Sequence, residues 1–202
     1  MAAIVACCSK AGLAVIRALG ERGIPIAGVY FGKNQVGAAS RFVTKAYSFP
    51  DPSEDEESFI DALLRLERRW DGAALFPTDD ASLVAVSRHW RLLEQRYGLV
   101  SQPWELVGKL IEKHHTYRIA LEHGVPCPSL QMAGSLEESL EFTARIGFPC
   151  LLKPSVGHLF FKRYRKKMLM VHSEAELREH MKTVREYGGQ LMLCEYIPGG
   201  DE

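Results

Sequence analysis

A lysine that closes an apolar strand is the first residue in this chain able to do chemistry. Residues 148–152 read Phe148-Pro149-Cys150-Leu151-Leu152 and are followed by Lys153 and Pro154. Pro154 has no N–H to give a ladder, so the strand is read as ending there. An ammonium in that position needs a negative or hydrogen-bonding group against it, and a ligand phosphate meets the need. The alternative is a lysine that lays its stem over the strand end and keeps its charge in water. A second apolar strand, 190–195, runs into Tyr196 and Ile197, so two strand ends are expected to face one place.

Other groups in the sequence invite readings of their own. After Lys153, residues 155–166 keep one glycine, Gly157, and turn basic through Lys162, Arg163, Arg165, Lys166 and Lys167. This stretch is read as a loop. Cradling phosphate with backbone N–H groups needs the close approach that glycine permits, so here charged side chains would do more of the binding. The same run, with Tyr164 inside it, could contact a nucleic-acid backbone. Lys+Arg and Asp+Glu are both 25, however, and there is no second basic region, so no nucleic-acid partner is expected. Asp79 and Asp80 follow an apolar run at 73–76. They stand outside the carboxyl end of a strand, where open α/β sheets place ligands, or they are N-cap residues. The adjacent His114 and His115 are expected to point about 100° apart on a helix, and the other histidines show no ligand spacing, so no metal ligand is assigned. Five cysteines without a C-x-x-C pair fit free thiols in a reducing, cytoplasmic setting. Residues 2–8 are apolar but too short to span a membrane, and no membrane partner is expected.

The elements that would position these groups follow from periodicity. Residues 2–8 read as a strand and 13–22 as a helix with Leu13, Ile16, Ala18 and Leu19 inward; 26–31 supply the next strand. This opens a βαβ unit with a parallel, Rossmann-like sheet. The first turn has no G-x-G-x-x-G, and the second strand ends in Tyr30-Phe31 without an acid, which argues against a dinucleotide site. Residues 32–45 read as loop and 46–49 as a short strand. Ser53 with Glu56 reads as a capping box opening a helix to residue 69. A strand at 73–76, a helix carrying Leu83, Val84, Val86 and Trp90, and a short strand at 99–100 complete a first domain, 1–102. The second domain, 103–202, is expected to begin with one helical stretch over 104–123. A capping box at Ser135 opens a helix to 146. A return strand at 168–171 and a helix capped by Ser173 and stopped at Gly188 follow.

Glu112-Lys113, a helix, the turn Gly124-Val125-Pro126-Cys127-Pro128, the Lys153 strand and the segment Glu195-Tyr196-Ile197 together resemble ATP-grasp proteins. That broad group holds carboxylate-amine ligases, carbamoyl-phosphate synthases and biotin carboxylases. Glu112 stands where the family carries Asp, and the glycine-rich loop is largely missing. The resemblance implies an α/β chain with a Rossmann-like pre-ATP-grasp domain and parallel sheet, followed by an incomplete ATP-grasp domain, an α+β lobe truncated after the adenine hinge. It implies that Lys113, Lys153 and Lys166 or Lys167 reach nucleotide phosphates. Main-chain groups of Glu195, Tyr196 and Ile197 would pair with adenine, and Glu202, seven residues after Glu195, would meet the ribose hydroxyls. Asp79 and Asp80 are candidates for a substrate-facing role. ATP and Mg²⁺ are the implied cofactors. The Mg²⁺ ligands and catalytic residues are expected in a following lobe, so these 202 residues would be an inactive N-terminal part. The implied reaction activates a small carboxylate as an acyl phosphate and couples it to an amine or similar nucleophile, in a protein compatible with a homodimer. A biotin-carboxylase-like enzyme and a non-catalytic nucleotide-binding or interaction module stand as alternatives.

Overall fold

Every residue of the first strand, β1 (Ala3–Ala6), is buried, as expected where a parallel sheet is covered on both faces. The computed structural model describes residues 1–32, 35–188 and 190–199 and divides into two compact units, Met1–Gly108 and Lys109–Glu202.

In the first unit β1 pairs in parallel with β2 (Ile26–Tyr30) and β4 (Ala74–Pro77); β3 (Lys45–Ser48) and β5 (Gly98–Leu99) form the edges, giving the order β3-β2-β1-β4-β5. The strand period of two sorts the core. Ile4 and Ala6, with Ala27 and Val29, pack among Phe59 and Leu63 of helix α2 (Glu56–Leu64), Trp70, and Ala85 and Val86 of α3 (Asp80–Arg88). Val5, Cys8 and Ile26 meet Ile16 of α1 (Lys10–Gly20) on the other face. Helix α1 starts so close to β1 that a Cβ on Gly12 would lie 2.1 Å from the Cys7 carbonyl oxygen, which only glycine avoids. The expected helix face through Trp90 is interrupted at His89, after which α4 (Trp90–Leu93) forms a separate turn.

Two expectations in this unit are corrected. The N-cap of α2 is Asp55, whose carboxylate accepts from the Ser58 N–H at 2.9 Å. Ser53 instead gives its N–H and hydroxyl to Asp51 at 2.8 and 2.6 Å, because an Asx turn competes for the same donors. The segment expected as featureless loop contains a 3₁₀ turn, Val36–Ala39.

Arg96 closes the far end of α2. Its guanidinium donates to the carbonyls of Leu63, Leu64 and Leu66 and pairs with Asp71 at 2.6 Å. Leu63 and Leu64 are the last residues of α2, where carbonyls run out of helical N–H partners, and Leu66 lies just past the C-cap. Arg96→Met is expected to destabilise the first unit by about 2–3 kcal/mol, the worth of charged hydrogen bonds whose partners are left behind. Urea unfolding with matched m-values measures it.

The second unit is antiparallel, with β6 (Leu130–Met132), β9 (Leu191–Glu195), β7 (Cys150–Pro154) and β8 (Leu169–Val171) in that order. Cys150, Leu152, Leu169, Val171, Leu191 and Leu193 face a core shared with Phe142, Leu177 and Met181. Phe142 lies on α7 (Leu136–Ile146), and Leu177 and Met181 on α9 (Glu174–Tyr187). The capping box at Ser135 and the Ser173 cap form as expected, and Gly188 ends α9 at φ 68°.

Two departures matter for the site. The stretch 104–123 is two helices, α5 (Trp104–Ile111) and α6 (Lys113–Glu122), broken at Glu112, which adopts φ −85° and ψ 104°. The Lys113 N–H leaves the helical ladder to donate to the Ser155 carbonyl at 3.1 Å, a tertiary bond that periodicity cannot reveal. The expected loop after Lys153 contains helix α8 (Gly157–Tyr164). Phe160 and Tyr164, one turn apart, stack with centroids 4.7 Å apart, and Tyr187 meets Phe160 edge-on at 5.1 Å. Burying that aromatic group stabilises the helix against its own basic content.

Candidate functional site

Pairing register decides which side chains of the second sheet share a face. Leu151 lies opposite Cys194, and Lys153 opposite Met192, so all four stand on the face away from the packed helices. Lys153 lays its stem diagonally along that face, and its Nζ comes within 3.8 Å of the Cys194 Sγ. Cys194 directly precedes Glu195, Tyr196 and Ile197. The two strand ends themselves do not face one place, contrary to expectation: β7 and β9 are antiparallel, with Pro154 opposite Leu191 and Cys150 opposite Glu195, so Lys153 approaches the β9 exit only through its side chain.

A second ammonium approaches from α6. The Lys113 Nζ lies 3.1 Å from where a Cβ on Gly157 would sit, while its own backbone is tied to Ser155. Gly157 is the first residue of α8, whose N-cap Val156 offers no capping side chain. The α8 start therefore presents the positive end of the helix dipole beside a lysine, a combination suited to anions. Tyr196 and Ile197 follow β9 as exposed, irregular chain. Glu195 turns its carboxylate to the Ser129 N–H at 3.0 Å, and its own N–H donates to the Ser129 carbonyl at 2.8 Å. Lys166 and Lys167 are exposed between α8 and β8. Glu202 lies outside the described residues.

Burial pushes the Cys194 thiol above its ordinary value, with Lys153 opposing the shift, so Cys194 is a neutral neighbour of the ammonium and no thiolate counter-ion. Burial raises the Cys150 thiol to about 11.

In the first unit, Asp79 caps α3. Its carboxylate accepts from the Ser82 N–H at 3.0 Å and from the Ser82 hydroxyl, and Asp80 is the first helical residue. Just before it, Thr78 donates its hydroxyl to the carbonyls of Ala6 and Cys7 at 2.8 and 2.5 Å. Cys7 sits at φ 74°, and burial first, then Asp79, raises its thiol to about 11. Burial raises Cys8 to about 12. Neither thiol is suited to be a nucleophile.

Sequence reasoning missed one grouping. The rings of His114 and His115 were expected to diverge, yet their centroids lie 3.9 Å apart. Both Nε2 atoms approach Glu112, at 3.7 and 3.5 Å from its Oε2. Both histidines are helical residues of α6, so the angular rule sets the directions of their Cα–Cβ bonds only, and rotation about the side-chain bonds brings the rings together. Burial, then His115, lowers the pKa of His114.

A Rossmann-like parallel unit followed by an antiparallel lobe with these strand ends is the fold of the N-terminal portion of ATP-grasp ligases. The chain is 34% identical over 68 residues to the carbamoyl phosphate synthase large chain of Xylella fastidiosa, a match spanning 30% of this chain and 6% of that protein. Its fold matches an L-amino acid ligase from Bacillus licheniformis with a TM-score of 0.69 at 17% identity, over 98% of this chain and 44% of that one. It also matches the biotin carboxylase domain of the Hydrogenobacter thermophilus 2-oxoglutarate carboxylase, solved as a dimer with MgADP, ADP and bicarbonate, with a TM-score of 0.64 at 23% identity over 91% of this chain and 41% of that one. The chain thus spans less than half the length of these structures and a small fraction of the curated relative. No protein-family model matches the chain.

Proposed function

We propose that this chain binds ATP as part of an ATP-grasp ligase that activates a carboxylate as an acyl phosphate and couples it to an amine or similar nucleophile. One observation carries the reading: the Lys153 ammonium lies 3.8 Å from Cys194, the residue before the 195–197 exit. A nucleotide with adenine against the main chain of Glu195, Tyr196 and Ile197 would then extend its phosphates toward Lys153, Lys113 and the α8 start. Lys167 is proposed as a further phosphate contact and Glu202 as a ribose contact. Asp79 and Asp80 are proposed to face the carboxylate substrate, at the carboxyl end of the first sheet.

Charge opposition and positioning are what such groups supply to phosphoryl transfer. Bound Mg²⁺ would neutralise phosphate charge. Bicarbonate and amino-acid carboxylates are the first substrates to try, given the two structural neighbours, and the homodimer reading is carried from the dimeric neighbour. We propose 103–202 as the nucleotide-binding domain, a range that starts before the compact unit Lys109–Glu202. The five cysteines stand free and, among the described residues, no helix is long and apolar enough to cross a membrane, which supports a cytoplasmic reading.

The test is ATP turnover by the complete gene product with Mg²⁺ and a panel of carboxylates, trapping acyl phosphate with hydroxylamine. Carboxylate-dependent hydroxamate supports the ligase. Nucleotide binding without any carboxylate-dependent turnover would instead favour a non-catalytic module.

Gly157→Ala probes the phosphate corner separately. The added methyl presses on the Lys113 ammonium while helix propensity improves. Nucleotide affinity is expected to fall by up to about tenfold, a fraction of one charged hydrogen bond, with the melting temperature unchanged or raised. Calorimetry and thermal melts check both.

A further inference from the structure

We infer that Glu112, His114 and His115 form a binding site for a borderline divalent transition-metal ion such as Zn²⁺. This is a site separate from any Mg²⁺ carried by a nucleotide. The candidate ligand atoms of the three residues all lie within 4.8 Å of one another, and the Glu112 Oε2 stands 3.7 and 3.5 Å from the two Nε2 atoms. An ion with bonds of about 2.0–2.1 Å in tetrahedral geometry needs ligand atoms about 3.3–3.4 Å apart. The two carboxylate–imidazole separations are therefore close to the required spacing before any ion arrives, and the third lies within 4.8 Å. Two imidazoles and one carboxylate suit Zn²⁺, Co²⁺ or Ni²⁺, whereas Mg²⁺ and Ca²⁺ prefer oxygen donors alone. Three protein ligands leave one position for water.

Two observations outside the trio point the same way. Glu112 is the N-cap of α6, yet its side chain makes no capping bond to the helix and turns to the two rings instead. His114 is also held from behind, its Nδ1 2.8 Å from the Oγ of Ser155, a buried residue at the end of β7. With Nδ1–H donating to that oxygen, Nε2 presents its lone pair to the site, the outer-shell arrangement typical of metal-bound histidine. Arg118 opposes binding here. Its Nη2 lies 3.2 Å from the His115 Nδ1, favouring the tautomer that protonates Nε2 and adding positive charge. Arg118 has an alternative partner in Glu122 at 3.8 Å and can be released. An ion here would clamp the start of the helix on which Lys113 stands. The inference does not depend on the nucleotide reading.

The test titrates the 202-residue chain with ZnCl₂ alone in a calorimeter and follows Co²⁺ by its visible absorption. One saturable site per chain is expected, with tetrahedral Co²⁺ bands. His114→Ala and His115→Ala should each weaken binding at least about tenfold, His172→Ala should not, and Arg118→Gln should strengthen it. Glu112→Gln, which keeps shape, serves where an alanine variant does not fold, and ¹⁵N-imidazole shifts of two histidines on adding Zn²⁺ give an independent readout. Absence of saturable binding, or affinity retained in the His114 and His115 variants, overturns the inference.

Discussion

Lys153→Ala is expected to weaken binding of ATP or ADP by roughly ten- to a hundredfold, the loss of one charge-assisted contact worth about 1.5–3 kcal/mol. The melting temperature of the ligand-free protein should barely move. This side chain is half-buried on the sheet face, with its Nζ 3.8 Å from a neutral Cys194 thiol, a contact whose loss should cost the fold little. A lysine kept only for its stem would behave in the opposite way, since truncation would remove packing and leave ligand affinity alone. Lys153→Met, which retains most of the apolar stem, should reproduce the affinity loss. Calorimetric titration with ADP, alongside a thermal melt of each variant, separates these outcomes.

Phe160→Ala should destabilise the second unit by about 3–5 kcal/mol, the range for deleting a buried aromatic ring. Phe160 is fully buried on α8 and touches both Tyr164 and Tyr187. It also packs in the same core as Leu152 and Leu193, the layer beneath the face that carries Lys153. Without the ring, the short helix keeps the basic residues Lys162 and Arg163 but loses its main apolar anchor, and eight residues do not hold a helix unaided. Nucleotide affinity should therefore fall together with stability in this variant, through the α8 start and Gly157, in contrast to Lys153→Ala. Urea unfolding monitored by circular dichroism measures the first effect. A conservative Phe160→Leu should recover most of both.

Patterns confined to one element were legible in the sequence. The apolar runs of β1 and β2 announced a parallel sheet, and Ser135 and Ser173 announced their helices, because caps and strand periods depend on neighbours a few residues away. What escaped depends on partners far along the chain. The break at Glu112 exists because the Lys113 N–H finds the Ser155 carbonyl, and β6 is three residues long and paired with β9. Helix α8 was hidden by its charge: five basic residues between 162 and 167 resembled a solvated loop, while the Phe160–Tyr164–Tyr187 packing needed the fold to appear. At the site, the expectation of two strand ends facing one place fails, because β7 and β9 run antiparallel with Pro154 opposite Leu191 and Cys150 opposite Glu195; only the Lys153 side chain reaches back toward Cys194. A phosphate role for Lys113 follows only from the resemblance, and its approach to Gly157 is not legible in the sequence. The His114–His115 pairing ran against a helical-wheel rule that fixes the directions of Cβ atoms and not the positions of the rings.

The central claim is that the ammonium of Lys153 and the main chain around Tyr196 flank one nucleotide. A crystal structure of the chain with a non-hydrolysable ATP analogue tests it most directly. Adenine against the Tyr196–Ile197 backbone, with phosphate oxygens in hydrogen-bond contact with Lys153 and Lys113, is the predicted result. A nucleotide seated at the carboxyl end of the β1–β2 sheet, with Lys153 free in solvent, would contradict it.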